Sequence, residues 1–131
     1  MACTISAEEI KRVKGLGFLN NKGTDLFNGR VITVNGKITA AQAKVIAEAA
    51  EKFGNGDVEF TTRLTVEVRG IHFDNIEPFR EYIAREGLQT GGTGSVVRPV
   101  VSWEPPVSMV CMILLHCLRK FMRDFIWDTA Q

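Results

Sequence analysis

The sequence predicts an α+β fold in which helices lie on one face of an antiparallel sheet. Three observations carry that expectation. From Thr39 onward, Ala43, Ile46, Ala47, Ala50 and Phe53 recur at helical spacing, opposite a polar face of Lys44, Glu48, Glu51 and Lys52. Val58 to Thr62 and Leu64 to Ile71 alternate apolar and polar residues with only Arg63 between them, so each reads as a strand with one wet face. Phe27 to Asn35 and Ser95 to Ser102 are β-rich, and a second helix signal lies ahead of the latter. The order is strand, helix, strand, strand, helix, strand, which is the split βαβ (βαββαβ) arrangement of a ferredoxin-like fold.

Each element has local signals. Ser6 and Glu9 form a capping box for a short N-terminal helix with Ile10 and Val13 on its apolar edge, stopped by Gly15 and Gly17. Residues 18–26 are rich in turn formers and read as extended or looped, so residues 1–26 form an N-terminal helix and arm. Val31 and Thr33 against Ile32 and Val34 make a β-branched alternation, closed by Asn35-Gly36, a pair that tolerates positive φ. Thr39 and Gln42 supply a second capping box, and Gly54 stands where a left-handed helix end belongs. Asp74 and Glu77 suggest a third box, with Ile76, Phe79 and Ile83 behind it and Pro78 inside the first turn, where its missing N–H costs little. Gly87 ends that helix, the loop 90–94 follows, and Pro99 places the last strand at an edge or ends it early.

Composition narrows the function classes. The chain of 131 residues is 45% apolar and 24% charged with a net charge of +1, ordinary for one globular domain. That balance argues against a nucleic-acid or anionic-membrane partner. The first residues lack the apolar core of a signal peptide, and Cys3, Cys111 and Cys117 are an odd number, so the expectation is a cytoplasmic protein with reduced thiols. If the strands share one sheet, Arg30, Arg63, Arg69 and Arg98 fall in some combination on the face that helices leave bare. Arginine suits bidentate capture of carboxylates and oxyanions, while the plainer alternative is a set of solvated edge and hairpin residues.

The order of elements, with Gly29 to Thr33 at the first strand, Thr61-Thr62-Arg63 at the hinge and Arg98 after a Gly-rich loop, resembles the ferredoxin-like half-domain of sirohaem nitrite/sulfite reductases. The resemblance covers about residues 13–102, with 27–102 as the half-domain proper. It implies that Arg30 and Arg98 bind the substrate anion, sulfite or nitrite, and that Thr61, Thr62 and Arg63 contact sirohaem. It further implies a 4Fe-4S cluster in the parent enzymes and a second half-domain or another subunit as partner, so that the chain alone is expected to self-associate. Three departures bear on the site: many members have a basic residue at the position of Glu59 and glutamines at those of Leu64 and Glu67. Carboxylates there either point away or weaken the site.

The tail, residues 103–131, leaves the family pattern at Trp103 and reads as irregular or helical. Its apolar run from Val107 to Leu118 is too short to span a membrane. Arg119, Lys120 and Arg123 behind it suit an interfacial helix, and the codons read in a shifted frame are compatible with the family's continuation, which suggests a slip near codon 103. Cys111 and Cys117 have a family-like spacing in the wrong context, and a four-iron cluster needs roughly four thiolates. The chain itself is therefore expected to bind no metal and to be inactive alone. Two function classes stand: a fragment of a sulfite- or nitrite-reducing oxidoreductase, or a non-catalytic module that binds an anion, a tetrapyrrole or a partner subunit.

Overall fold

Capping and alternation produce most of the expected elements among the described residues, with two short strands that the sequence did not announce. The computed structural model describes residues 5–93, 99 and 101. The chain runs α1 (Ala7–Gly15), β1 (Phe18–Asn20), β2 (Leu26–Ile32), α2 (Ala40–Phe53), β3 (Val58–Phe60), β4 (Val66–His72), α3 (Ile76–Ala84) and β5 (Gln89–Thr90). Both capping boxes at Ser6 and Thr39 form, each side chain accepting from the backbone N–H three residues on. Asn35 and Gly36 take φ of 53° and 79° in the tight turn that bonds Lys37 N–H to Val34 O, as that residue pair predicts.

The sheet is ferredoxin-like. β2 pairs antiparallel with β4, β4 with β3, and β5 lies on the far edge of β2, so strands β5, β2, β4 and β3 stand side by side in that order. The additional strand β1 shares the β5 edge, covering Phe27 to Gly29 of β2 while β5 covers Val31 and Ile32. Phe27, Val31, Val66, Val68 and Ile71 face the helices and join Ile46, Ala49, Ala50, Ile76, Phe79 and Ile83 in one core, to which α1 and β1 add Val13 and Phe18. A β-bulge keeps this register: Asn28 of β2 faces both Arg69 and Gly70 of β4, with Gly70 at φ +75°. Without it Ile71 would turn away from the core.

Three expectations need correction. Gly54 is not left-handed; its φ of −116° and ψ of −154° are extended. Its need for glycine is steric, because a Cβ there would lie 2.5 Å from the carbonyl oxygen of Arg69. Asp74 and Glu77 form no cap: Phe73–Asn75 is a 3-10 turn, and Asn75 at the helix start is itself helical, lacking the extended backbone that a side-chain cap requires. The strand on the β2 edge is Gln89–Thr90, ahead of the expected one; of Ser95 to Ser102, all but Pro99 and Val101 lie outside the described residues. Arg98, all three cysteines and the tail from residue 102 onward are outside them too. Among the described residues no helix is long and apolar enough to cross a membrane.

Candidate anion site on the open face of the sheet

Arg30 is held by its main chain where β1 hands over to β5. Its N–H donates to Gly17 O at 2.8 Å and its carbonyl accepts from Gly91 N–H at 3.1 Å. Gly17 has φ +102°, and a Cβ on it would lie 2.4 Å from Gly91 N, so the two segments converge on Arg30 only because Gly17 carries no side chain. Strand alternation then sends the Arg30 side chain to the helix-free face, opposite Glu67 of β4. Nε donates to Glu67 Oε1 at 2.8 Å, Nη2 donates to the same oxygen, and Nη1 donates to Gly92 O at 3.2 Å. The two side chains keep 21% and 14% of their exposure, so the pair is open to solvent from one side only.

The same face carries a second pair. Glu59 of β3 stands directly across from Glu67, and Arg69 Nη2 donates to Glu59 Oε2 at 2.5 Å. That hydrogen bond, with the charge of Glu59 behind it, pushes Arg69 above the ordinary guanidinium value. Two glutamates opposed across a ladder repel, and here each is neutralised by an arginine. Arg30 and Arg69 thus share the open face, but it is matched charge for charge and offers no unbalanced cationic surface at that point. Glu59 and Glu67 do not point away; they face the side where the anion is expected.

The Thr61–Arg63 segment is different in kind. It forms the turn from β3 to β4, with Leu64 N–H bonded to Thr61 O at 3.0 Å and Leu64 itself at φ 56°. The Thr61 and Thr65 hydroxyls are 2.7 Å apart, and Thr65 N–H donates to Thr61 Oγ1 at 3.2 Å. Thr33, just past β2, donates to the carbonyl of Leu64 and accepts from Gly36 N–H, which ties the turn to the loop after β2. The backbone is therefore fixed, while Thr62 and Arg63 are exposed at its tip. Arg63 makes no hydrogen bond or ion pair among the described residues.

The structure thus brings Arg30 and the Thr61–Arg63 turn to one end of the sheet, the turn open and Arg30 engaged. Sequence reasoning missed Glu67 as Arg30's partner. The signal was available: both occupy polar-face positions of strands that the ferredoxin order makes neighbours, and opposite charges favour such cross-strand pairs. Nothing in the sequence pointed to the carbonyl of Gly92. A separate cavity of about 330 Å³ is lined by Ile5, Glu9, Asp25, His72, Phe73 and Asp74. Its carboxylates are unsuited to an anion, and no group of His, Cys, Asp and Glu among the described residues is arranged to hold a metal ion.

Comparison with known proteins decides the family. The sequence model for the nitrite/sulfite reductase ferredoxin-like half domain matches residues 20–86, just over half of the chain. The chain belongs to that family. An uncharacterised protein of Methanocaldococcus jannaschii is 36% identical over 78 residues, 60% of this chain and 28% of that protein. Among solved structures, the NirA protein of Mycobacterium tuberculosis matches with a TM-score of 0.78 over 94% of this chain and 26% of its own, at 19% identity, a likeness of fold. The chain spans about a quarter of the length of these two relatives. The half-domain's expected ligand, sirohaem, is rich in carboxylates. At Arg30 the residues as arranged do not fit it: Arg30 has its fork on Glu67, and across from Glu67 Glu59 is matched by Arg69, which leaves no spare positive charge for a further carboxylate. Among the described arginines of the site, Arg63 at the turn is the one without a side-chain partner.

Proposed function

We propose that this chain is the anion-binding ferredoxin-like part of an oxidoreductase that reduces sulfite or nitrite, a fragment that contributes arginine donors and does not hold the redox groups itself. In this reading Arg63 takes a carboxylate of the parent enzymes' sirohaem, with the Thr61 and Thr62 segment fixing the turn, and Arg30 and Arg98 serve the substrate anion. Sirohaem and a 4Fe-4S cluster supply the electron chemistry in the parent. A second half-domain or another subunit completes the site. The observation that carries the reading is Arg63: an exposed guanidinium without a partner among the described residues, on a turn whose backbone is held by the Thr61, Thr65 and Thr33 hydroxyls.

The test is a titration with uroporphyrin, a polycarboxylate porphyrin used as the probe, followed by absorption and fluorescence. Arg63→Lys keeps the charge but loses the planar fork that matches a carboxylate, so binding weakens by about tenfold. Equal affinity of the two proteins overturns the assignment. One observation favours a second reading, a non-catalytic module for an anion, tetrapyrrole or partner subunit. Arg30, assigned in the first reading to the substrate anion, is neutralised by Glu67.

A further inference from the structure

We propose that Glu67 is a specificity-determining residue that covers Arg30, so that an anion gains the side-on fork of Arg30 only by displacing the carboxylate. The inference rests on the anion-site reading above and deepens it. Arg30 has five N–H donors, and three of its bonds are made: Nε and Nη2 to Glu67, and Nη1 to Gly92 O. What is left is one N–H on each terminal nitrogen, enough for an end-on contact at most, while the side-on fork is taken as long as Glu67 stays. The main chain of Arg30 cannot move to offer another, being bonded on one side to Gly17 O and on the other to Gly91 N–H. Exchange of partners must therefore occur at the side chain.

Charge makes the choice exclusive. With Glu67 in place and Glu59 directly across from it, an oxyanion approaching the open face meets two carboxylates whose arginines are already matched. It replaces Glu67 rather than joining it. The pair is also accessible enough to exchange, since both side chains retain part of their exposure. A small, strongly hydrogen-bonding oxyanion is the class of ligand able to compete with a carboxylate for a guanidinium. Glu67 thereby raises the selectivity of the face at the expense of affinity.

The experiment uses the full chain and sulfite as the probe, with affinity by calorimetry and the Arg30 Nε–H resonance followed by NMR. Glu67→Gln keeps the shape and removes the charge; Glu67→Ala removes the covering group. Both bind sulfite about tenfold tighter than the parent chain or better, with Arg30 Nε–H shifting on titration. In the Glu67→Gln background Arg30→Gln abolishes the gain, and a double-mutant cycle over the parent chain, the two single variants and the double variant measures the coupling. Circular dichroism and thermal melts confirm that each variant is folded, and the Ala and Gln variants check one another. Unchanged or weaker binding in both Glu67 variants overturns the proposal. So does a gain that persists when Arg30 is absent, because it is then an effect of net charge. If uroporphyrin binding depends on Arg63 but Glu67 variants gain nothing, the covering role alone fails. If no form of the protein binds either probe, the anion-site reading fails with it.

Discussion

Tyr82 shows how a single side chain couples the two helices to pH. Its hydroxyl donates to Glu48 of α2 at 2.9 Å, while Lys52 and Arg85 stand 5.2 Å and 4.8 Å from its ring centroid. The hydrogen bond to Glu48, then burial, then the charge of Glu48 raise its pKa above the ordinary phenol value of about 10. A folded-state pKa above the unfolded one means that the native state holds the proton longer. The stabilisation is then complete below about pH 10 and is lost as pH climbs through the raised value. Tyr82→Phe is therefore less stable than the parent chain near neutrality, and the gap closes in alkali. Thermal melts of both proteins at about pH 7 and about pH 10.5 check this; a gap that widens with pH contradicts it. Arg63 and Arg30 make the complementary point at the same scale. Two arginines of one predicted site differ in availability because one has a glutamate across the ladder and the other sits at a turn tip.

At the scale of elements, signals confined to a few neighbouring residues were legible and those made by distant backbone were not. Ser6 with Glu9, Thr39 with Gln42 and Asn35-Gly36 each act within three residues, and each appears as read. β1 was hidden because Phe18 to Asn20 is too short to display an alternation, and its pairing depends on β2 offering an edge. Asp74 failed as a cap because the chain turned one residue early, into Phe73–Asn75. Gly54 was read as glycine for the right place and the wrong reason. Its N–H bonds Ala50 O at 3.0 Å, and its missing side chain admits the Arg69 carbonyl at the bulge that keeps Ile71 in the core. Gly54→Ala is backbone-compatible, yet it forces the α2 end away from β4. The expected loss is about 1–3 kcal/mol of unfolding free energy, the usual cost of overpacking. Urea denaturation measures it as a lower midpoint at an unchanged slope; a stability within error of the parent chain would show that the bulge relaxes freely.

For the molecule as a whole, the sheet separates two tasks. Its helix side carries the packing: Phe79 is fully buried, with its ring 6.0 Å from Phe18 and 6.3 Å from Phe53, both edge-on, so it joins α3 to β1 and to the end of α2. Its open side carries Arg30, Glu67, Arg69 and Glu59, with the Arg63 turn at one end, and contributes nothing to the apolar cluster. Alternation along each strand is what makes this division possible, because neighbouring residues report to opposite faces. The fold was legible in the sequence for that reason, whereas the state of the site depends on which charges meet across β2, β4 and β3. Effects on the two faces should therefore be independent, as expected for positions with no shared partners. Phe79→Ala removes a ring that three elements share and lowers unfolding free energy by about 3–5 kcal/mol, a large part of the roughly 5–15 kcal/mol available to a domain. The folded fraction nevertheless keeps the Arg63-dependent affinity for uroporphyrin, within about twofold. Denaturation curves and probe titrations on the same samples, at a temperature where the variant is still folded, test both halves together. If affinity falls in step with stability, the open face is shaped by the core beneath it and the two tasks are not separate.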